Sequence, residues 1–411
     1  MLLSIAWRSI VSRRQTVILT FLSLVVSMSV LISVEHIRAQ ARESFNRTIS
    51  GVDLIVGAPT GELNLLLSSV FRMGNPTNNI RYDSFSMLKS NKSVEWAIPI
   101  SLGDSHRGFR VMGTNTDYFR YFKFGNERPL TLAEGDIFDS PFDAVIGADV
   151  ARSLHYKKGD KIVIAHGLAA ISFVNHDQAP FTISGILEPT GTSVDKTVHI
   201  SLAAIEAIHL PAKQLQNLVN NPHAQLPLPE SITSVMLGLS NKFATFTLQR
   251  QINHYQADRL IAVLPGVAMA RLWELMAGVE NILQIIGYLV LLASLFGLAT
   301  MLLATMNERQ NEIAVLRILG ASPKLIVSLV ILEALIISIL ALLFSLAIVT
   351  LSLTLLDSWL TAEYGLFLSN NVLSPDLLIL SSIIIGATLI TALVPGLEAY
   401  KKVLHSQLSS R

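Results

Sequence analysis

Apolar positions along this chain follow two different patterns. In four stretches, 17–34, 282–306, 325–356 and 377–394, they run almost without interruption. Elsewhere, and above all between the first two stretches, they come in short bursts broken by polar residues. A run of ~20 apolar residues matches the thickness of a bilayer's hydrocarbon core, so the four stretches predict transmembrane helices. The 325–356 run is longer than a bilayer needs and predicts a tilted or protruding helix. Ala39-Gln40-Ala41 resembles a signal-peptidase site. However, a signal's apolar core spans ~7–15 residues, and Glu35, His36 and Arg38 interrupt the approach. The 17–34 run therefore reads as an uncleaved anchor.

The middle of the chain changes period. Segments 53–57, 144–147, 161–164 and 181–187 are short, β-branched and bounded by turn formers, which predicts strands. Segments 63–72, 201–209, 249–260 and 268–280 predict helices, and 36–50 predicts a polar helical stalk leaving the membrane. The proline-rich run 220–229 predicts a surface loop. The expected fold class is an α-helical membrane domain of four transmembrane helices in a 1+3 arrangement. A large mixed α/β domain, 35–281, is inserted between helices 1 and 2, as one body or two subdomains. Ser322-Pro323 and Ser374-Pro375 place a hydroxyl before a proline, as helix starts do, and Gly320 suits a left-handed helix end. Ala293 and Gly297 form a small-xxx-small pair that permits close helix packing.

Charge sets the orientation. Charged residues make up 15% of the chain, against about 25% in soluble domains, and most of them fall within 36–280. Arg8, Arg13 and Arg14 precede the first span; Arg309, Arg317 and Lys324 lie between the second and third; Lys401, Lys402 and Arg411 follow the fourth. The loop 357–376 carries only Asp357, Glu363 and Asp376. By the positive-inside rule both termini and the 307–324 loop are cytoplasmic, while 35–281 and 357–376 face outward. In segment 1–16 Leu3, Ala6, Trp7, Ile10 and Val11 form an apolar stripe beside basic residues, which predicts a helix in the membrane interface. The tail is 395–411. A net charge of +1 and the lack of a basic patch argue against nucleic acid as a partner. The absence of cysteine excludes disulfides and thiolate metal sites.

Motifs for chemistry on this chain are missing. There is no G-x-x-x-x-G-K-[ST], H-E-x-x-H or G-x-S-x-G. Nine of ten histidines lie in the α/β segment, but none are spaced i, i+4, which favours scattered structural histidines over a metal site. Glu333 is the one charge inside a predicted span; an intramembrane carboxylate is a functional candidate, and a structural hydrogen bond is the stronger reading where no second such charge exists. The 307–324 loop is the most informative segment. As a helix, Ile313, Leu316 and Gly320 share one face, and Glu308 and Glu312 share another. Mixed charge signs suit docking into a groove on a cytoplasmic partner better than lying on anionic lipid.

In that loop Arg309-x-x-Glu312-Ile313-x-x-Leu316-Arg317-x-Leu319-Gly320-x-Ser322, followed by Glu333, resembles the signature of FtsX/MacB-type ABC transporter permeases, with Ile318 in place of the usual alanine. Phe109–Thr114, Glu134–Phe138, Val145–Ala151, Lys158–Ile162 and Phe181–Thr192 resemble the family's MacB-like periplasmic core, and 394–400 its final element. The resemblance implies a dimeric permease subunit in a bacterial inner membrane, formed with a second copy or a paralogue. It implies a separate cytoplasmic ATPase that holds the ATP and Mg²⁺, with no cofactor on this chain and no catalysis by it. The layout is closest to the LolC and LolE branch, from which Gly51–Asn79 departs. The family's coupling helix would correspond to Glu308, Arg309, Glu312, Ile313, Leu316, Arg317 and Gly320. The expected function is ATP-driven export or extraction of a lipid-linked, peptide or drug-like substrate, with a periplasmic partner and membrane lipid as further contacts. The alternative is an FtsX-like anchor that gates a periplasmic enzyme without moving cargo.

Overall fold

A computed structural model describes the chain except residues 1–5, 7–9, 49, 126, 167–178, 212–213, 216, 219–226, 309–314, 316–317, 319–320, 365–374 and 409–411. Its contacts divide into two units. One comprises Met1–Gln40, Ala277–Ser358 and Leu368–Arg411, the other Ala41–Met276 and Trp359–Phe367.

The first unit is built from long helices: α1 Arg14–Arg47, α8 Pro265–Glu308, α9 Pro323–Tyr364 and α10 Pro375–Leu408. Each contains a stretch long and apolar enough to cross a membrane, namely Arg14–Gln40, Pro265–Met306, Pro323–Leu356 and Pro375–Glu398. Prolines open α8, α9 and α10, where the missing N–H would have had no helical partner. α10 continues past Pro395, beyond the apolar run 377–394. A proline within a helix removes one backbone hydrogen bond and can kink it without ending it.

Polar pairs and small residues hold these helices. Ser27 and Ser294 join α1 to α8, Ser345 Oγ donates to the Val25 carbonyl at 2.9 Å, and Ser338 pairs with Thr388 at 2.9 Å. Close helix contact occurs at Gly287, where an added Cβ would come within 2.7 Å of Leu31. Ala293 and Gly297 lie instead on the exposed face of α8, and open space surrounds Gly297. The helix rotates because Gly287, Leu291, Ser294 and Leu298 are its buried positions, and these fall on another stripe.

The second unit carries a mixed sheet whose main strands are β1 Leu54–Gly57, β2 Val94–His106, β3 Phe109–Thr114, β4 Leu132–Gly135, β5 Asp143–Ile146, β6 Phe181–Leu187, β7 Thr197–Ser201, β8 Ser234–Leu239 and β9 Ile261–Val263. Their order is β9-β1-β8-β2-β3-β7-β5-β6-β4, and β3/β7 and β5/β6 pair in parallel. β2 pairs through Val94–Ile100 with β8 and through Ser101–His106 with β3. One strand thus joins two halves, each with its own core. Leu54, Val56, Val235 and Leu237 anchor one core, and Val111, Ile146, Phe181 and Ile200 the other. A third cluster around Met112, Tyr118 and Phe122 lies on the sheet's other face.

The helices of this unit are α2 Glu62–Ser69, α3 Tyr82–Lys89, α4 Asp117–Tyr121, α5 Ala148–Leu154, α6 Leu202–Ala207 and α7 Thr245–Asn253. α7 ends well before the residue 260 that the pattern predicts. There Asn253 Oδ1 accepts a hydrogen bond from Ala262 N at 2.7 Å, which turns the chain back into β9.

Candidate functional site

Of the loop predicted to form the coupling helix, Arg309, Glu312, Ile313, Leu316, Arg317 and Gly320 lie outside the described residues. Glu308, the last residue of α8, is described. Its carboxylate is 3.3 Å from Arg13 Nη1, and the same nitrogen donates to the Thr305 carbonyl at 2.7 Å. The last turn of a helix leaves carbonyls without partners and carries partial negative charge, so a cation there satisfies both needs. The Glu308 side chain remains 70% exposed. Val315 and Ile318, in helical conformation within the loop, are 56% and 85% exposed. Sequence reasoning placed Arg13 only as a flanking charge, because nothing in a linear pattern links positions 292 apart.

Glu333 is buried within α9. At the opposite end of α1, Arg38 Nη2 donates to Glu35 at 2.5 Å, Gln284 Nε2 donates to the same carboxylate at 3.0 Å, and Arg38 lies 3.8 Å from Glu280.

The α/β unit holds a second set of polar groups, which the sequence pattern does not single out. Arg72 follows α2, is buried, and has a left-handed backbone with φ 58°. Its Nη2 donates to Met112 Sδ at 2.6 Å, while its Nε and Nη1 have no hydrogen-bond partner. Burial lowers its pKa, and the neighbouring Tyr118 opposes that shift. The Tyr118 hydroxyl is the polar group beside the Arg72 guanidinium. His199 stacks on Tyr118 at 5.3 Å and donates from Nδ1 to the Val145 carbonyl at 3.1 Å. Burial first, and the Arg72 charge second, lower its pKa to about 3, so the ring is neutral.

Nearby, the loop after β6 folds onto Asp195, which accepts from the backbone of Thr190 and Gly191 and from the Thr190 hydroxyl. Burial nevertheless raises its pKa, against those hydrogen bonds. His106 donates from Nδ1 to the Val163 carbonyl at 2.6 Å, leaving Nε2 to accept from Tyr156 at 2.9 Å. Among the described residues, no three His, Asp or Glu side chains are grouped to hold a metal.

Among the described residues, four helices are long and apolar enough to cross a membrane, one before and three after a mixed α/β domain. Residues 17–255 match the MacB-like periplasmic core domain, and residues 284–404 match the C-terminal part of FtsX-like permeases. The chain belongs to the FtsX/MacB-type ABC transporter permeases. Similar solved structures include the periplasmic region of MacB from Actinobacillus actinomycetemcomitans, at 10% identity and TM-score 0.33, covering 55% of this chain and 94% of that one. Another is the extracellular domain of the noncanonic ABC-type transporter YknZ from Gram-positive bacteria, at 12% identity and TM-score 0.29, covering 51% and 98%. No curated protein matches the chain. The family is one of membrane subunits that work with a cytoplasmic ATPase, and its architecture fits a bacterial inner membrane.

Proposed function

We propose that this chain is the non-catalytic permease subunit of an ABC transporter. A separate ATPase, which binds the ATP and Mg²⁺, drives a conformational change in the α/β domain, and that change exports or extracts a lipid-linked, peptide or drug-like substrate. Both termini and the loop between α8 and α9 face the cytoplasm, and the α/β domain faces the periplasm. A second copy or a paralogue completes the subunit pair, and the exposed Ala293 and Gly297 face of α8 suits close packing against it.

The observation that carries this reading is the loop after α8. It connects two spans, starts on a Glu308 fixed by Arg13, and exposes Val315 and Ile318. Apolar side chains exposed beside charges of both signs form the kind of surface that a helix presents to a protein groove. In the proposed complex, Glu308, Arg309, Glu312, Ile313, Leu316, Arg317 and Gly320 meet the ATPase.

The test is a pull-down from native membranes under mild detergent, comparing wild type with Glu312→Lys plus Arg317→Glu. The wild type is expected to retain a Walker-motif ATPase and the double reversal to lose it. Failure of the wild type to retain one would sink the reading.

A further inference from the structure

In the α/β unit, residues Asn75, Pro76, Thr77, Asn78, Asn79, Leu102 and Gly103 bound a cleft of about 460 Å³. Its walls are fixed. Asn79 Nδ2 donates to Ser231 Oγ at 3.2 Å, and Leu102 N donates to Thr233 Oγ1 at 3.0 Å. One edge is a β-bulge: Leu102 pairs with Met112 and Ser105 with Arg110, so Gly103 and Asp104 together oppose Val111. Bulges of this kind re-aim side chains next to binding sites.

Two arginines lie close to this cleft without lining it. Arg110, two residues before Met112 and so on the same strand face, donates to the Gly74 carbonyl and, at 3.2 Å, to the Asn75 amide oxygen that lines the cleft. Arg72 reaches Met112, the cross-strand partner of Leu102, is more than nine-tenths buried, and has the neutral Tyr118 hydroxyl beside it rather than a carboxylate. The two charges feel each other, because Arg72 lowers the pKa of Arg110 after burial does. Among the described residues neither arginine forms an ion pair with a carboxylate, and Asp104 on the bulge is buried and already engaged. A buried cation without a counter-charge is costly, and left-handed backbone at a non-glycine residue such as Arg72 is a strain that persists where the surroundings impose it.

We propose that this cleft binds a phosphate-class anion, held by Arg110 at its edge and attracted by the uncompensated charge of Arg72 behind its wall. Two guanidinium groups match the ≈ −1.5 to −2 charge of a phosphomonoester, and the planar guanidinium fork of Arg110 suits its oxygens. The three asparagines supply neutral donors around them. The phosphate comes either from a lipid headgroup or from solution. The site stands apart from ATP coupling, so its fate and that of the proposed function are independent.

The experiment is calorimetric titration of the full detergent-solubilised chain, in phosphate-free buffer at neutral pH, with no ATPase present. Two ligands are titrated: inorganic phosphate, and dihexanoyl phosphatidic acid below its micellar concentration. Sodium chloride at matched ionic strength is the blank. The expected result is saturable binding, weakened about tenfold or more by Arg110→Gln and by Arg72→Met. Arg72→Met is also expected to raise the thermal midpoint without ligand, since an apolar chain replaces an unpartnered charge. If that variant does not fold, Arg110→Gln decides. Binding of both ligands supports a site that takes the phosphate group itself, and binding of the lipid alone supports a headgroup site. Absence of saturable binding, or equal affinity in wild type and Arg110→Gln, overturns the proposal.

Discussion

His199 shows how one buried ring makes a domain pH-sensitive. Its folded pKa is lowered to about 3, by burial and then by Arg72, whereas an unfolded histidine titrates near 6.5. Between those values the unfolded chain binds a proton that the folded chain refuses, so the stability this group supports is complete above about pH 6.5 and falls as pH drops towards 3. The slope is about 1.4 kcal/mol per pH unit. Asp149 and Asp195, whose pKa values burial raises, act in the opposite direction. The expected result is that His199→Gln flattens the loss of denaturant stability of the full chain between pH 7 and 4.5. An unchanged slope would remove this account. The histidine itself was visible in the sequence, and its role was not. Position 199 became a core site only when β7 settled between β3 and β5, and Arg72 was brought beside it from a segment far away in the chain.

At the level of elements, backbone proximity decides which glycines matter. Gly147, at the start of α5, faces the loop that Asp195 organises. A Cβ there would stand 2.3 Å from the Val194 carbonyl oxygen and 2.4 Å from that of Asp195. Both are backbone atoms that cannot rotate away, so Gly147→Ala is expected to cost about 1–3 kcal/mol, as overpacked sites do. Gly266, in the first turn of α8, has nothing within 4 Å of its Cβ position. Gly266→Ala is therefore expected to be neutral or to stabilise by up to ~1 kcal/mol. Thermal melts of the two variants side by side check the contrast, and equal effects would refute it.

The same comparison shows what pattern reading can reach among the elements. β6 was legible from its β-branched residues and bounding turn formers, and its burial alternates along Phe181–Leu187. β2 and β8 were not, because Pro99 and Gly103 interrupt β2, and β8 contains Gly238 and a single β-branched residue, Val235. The small pair Ala293 and Gly297 was legible as a motif, yet the helix that packs against α8 within the chain meets Gly287 instead. A motif specifies that close approach is allowed, and the full set of buried positions specifies where it occurs.

For the whole molecule, the proposed orientation can be tested directly because the chain has no native cysteine. Ser140, exposed in the α/β unit, and Ser322, exposed before α9, are suitable labelling points. In intact spheroplasts, Ser140→Cys is expected to react with a membrane-impermeant maleimide, and Ser322→Cys only after the membrane is opened. The reverse labelling would invert the topology and with it the proposed ATPase face. Apolar run length, basic loops and turn-bounded strands determined by themselves that the chain has four membrane-length helices in a 1+3 order around an α/β domain. They could do so because bilayer thickness and backbone hydrogen bonding act on contiguous segments. The loop signature added the family. Only tertiary structure decided that Arg13 closes the end of α8, that a 13-residue strand joins two cores, and that Arg72 and Arg110 lie close to each other. Each of these joins residues far apart in sequence, where the energy depends on distance and burial that no local pattern encodes.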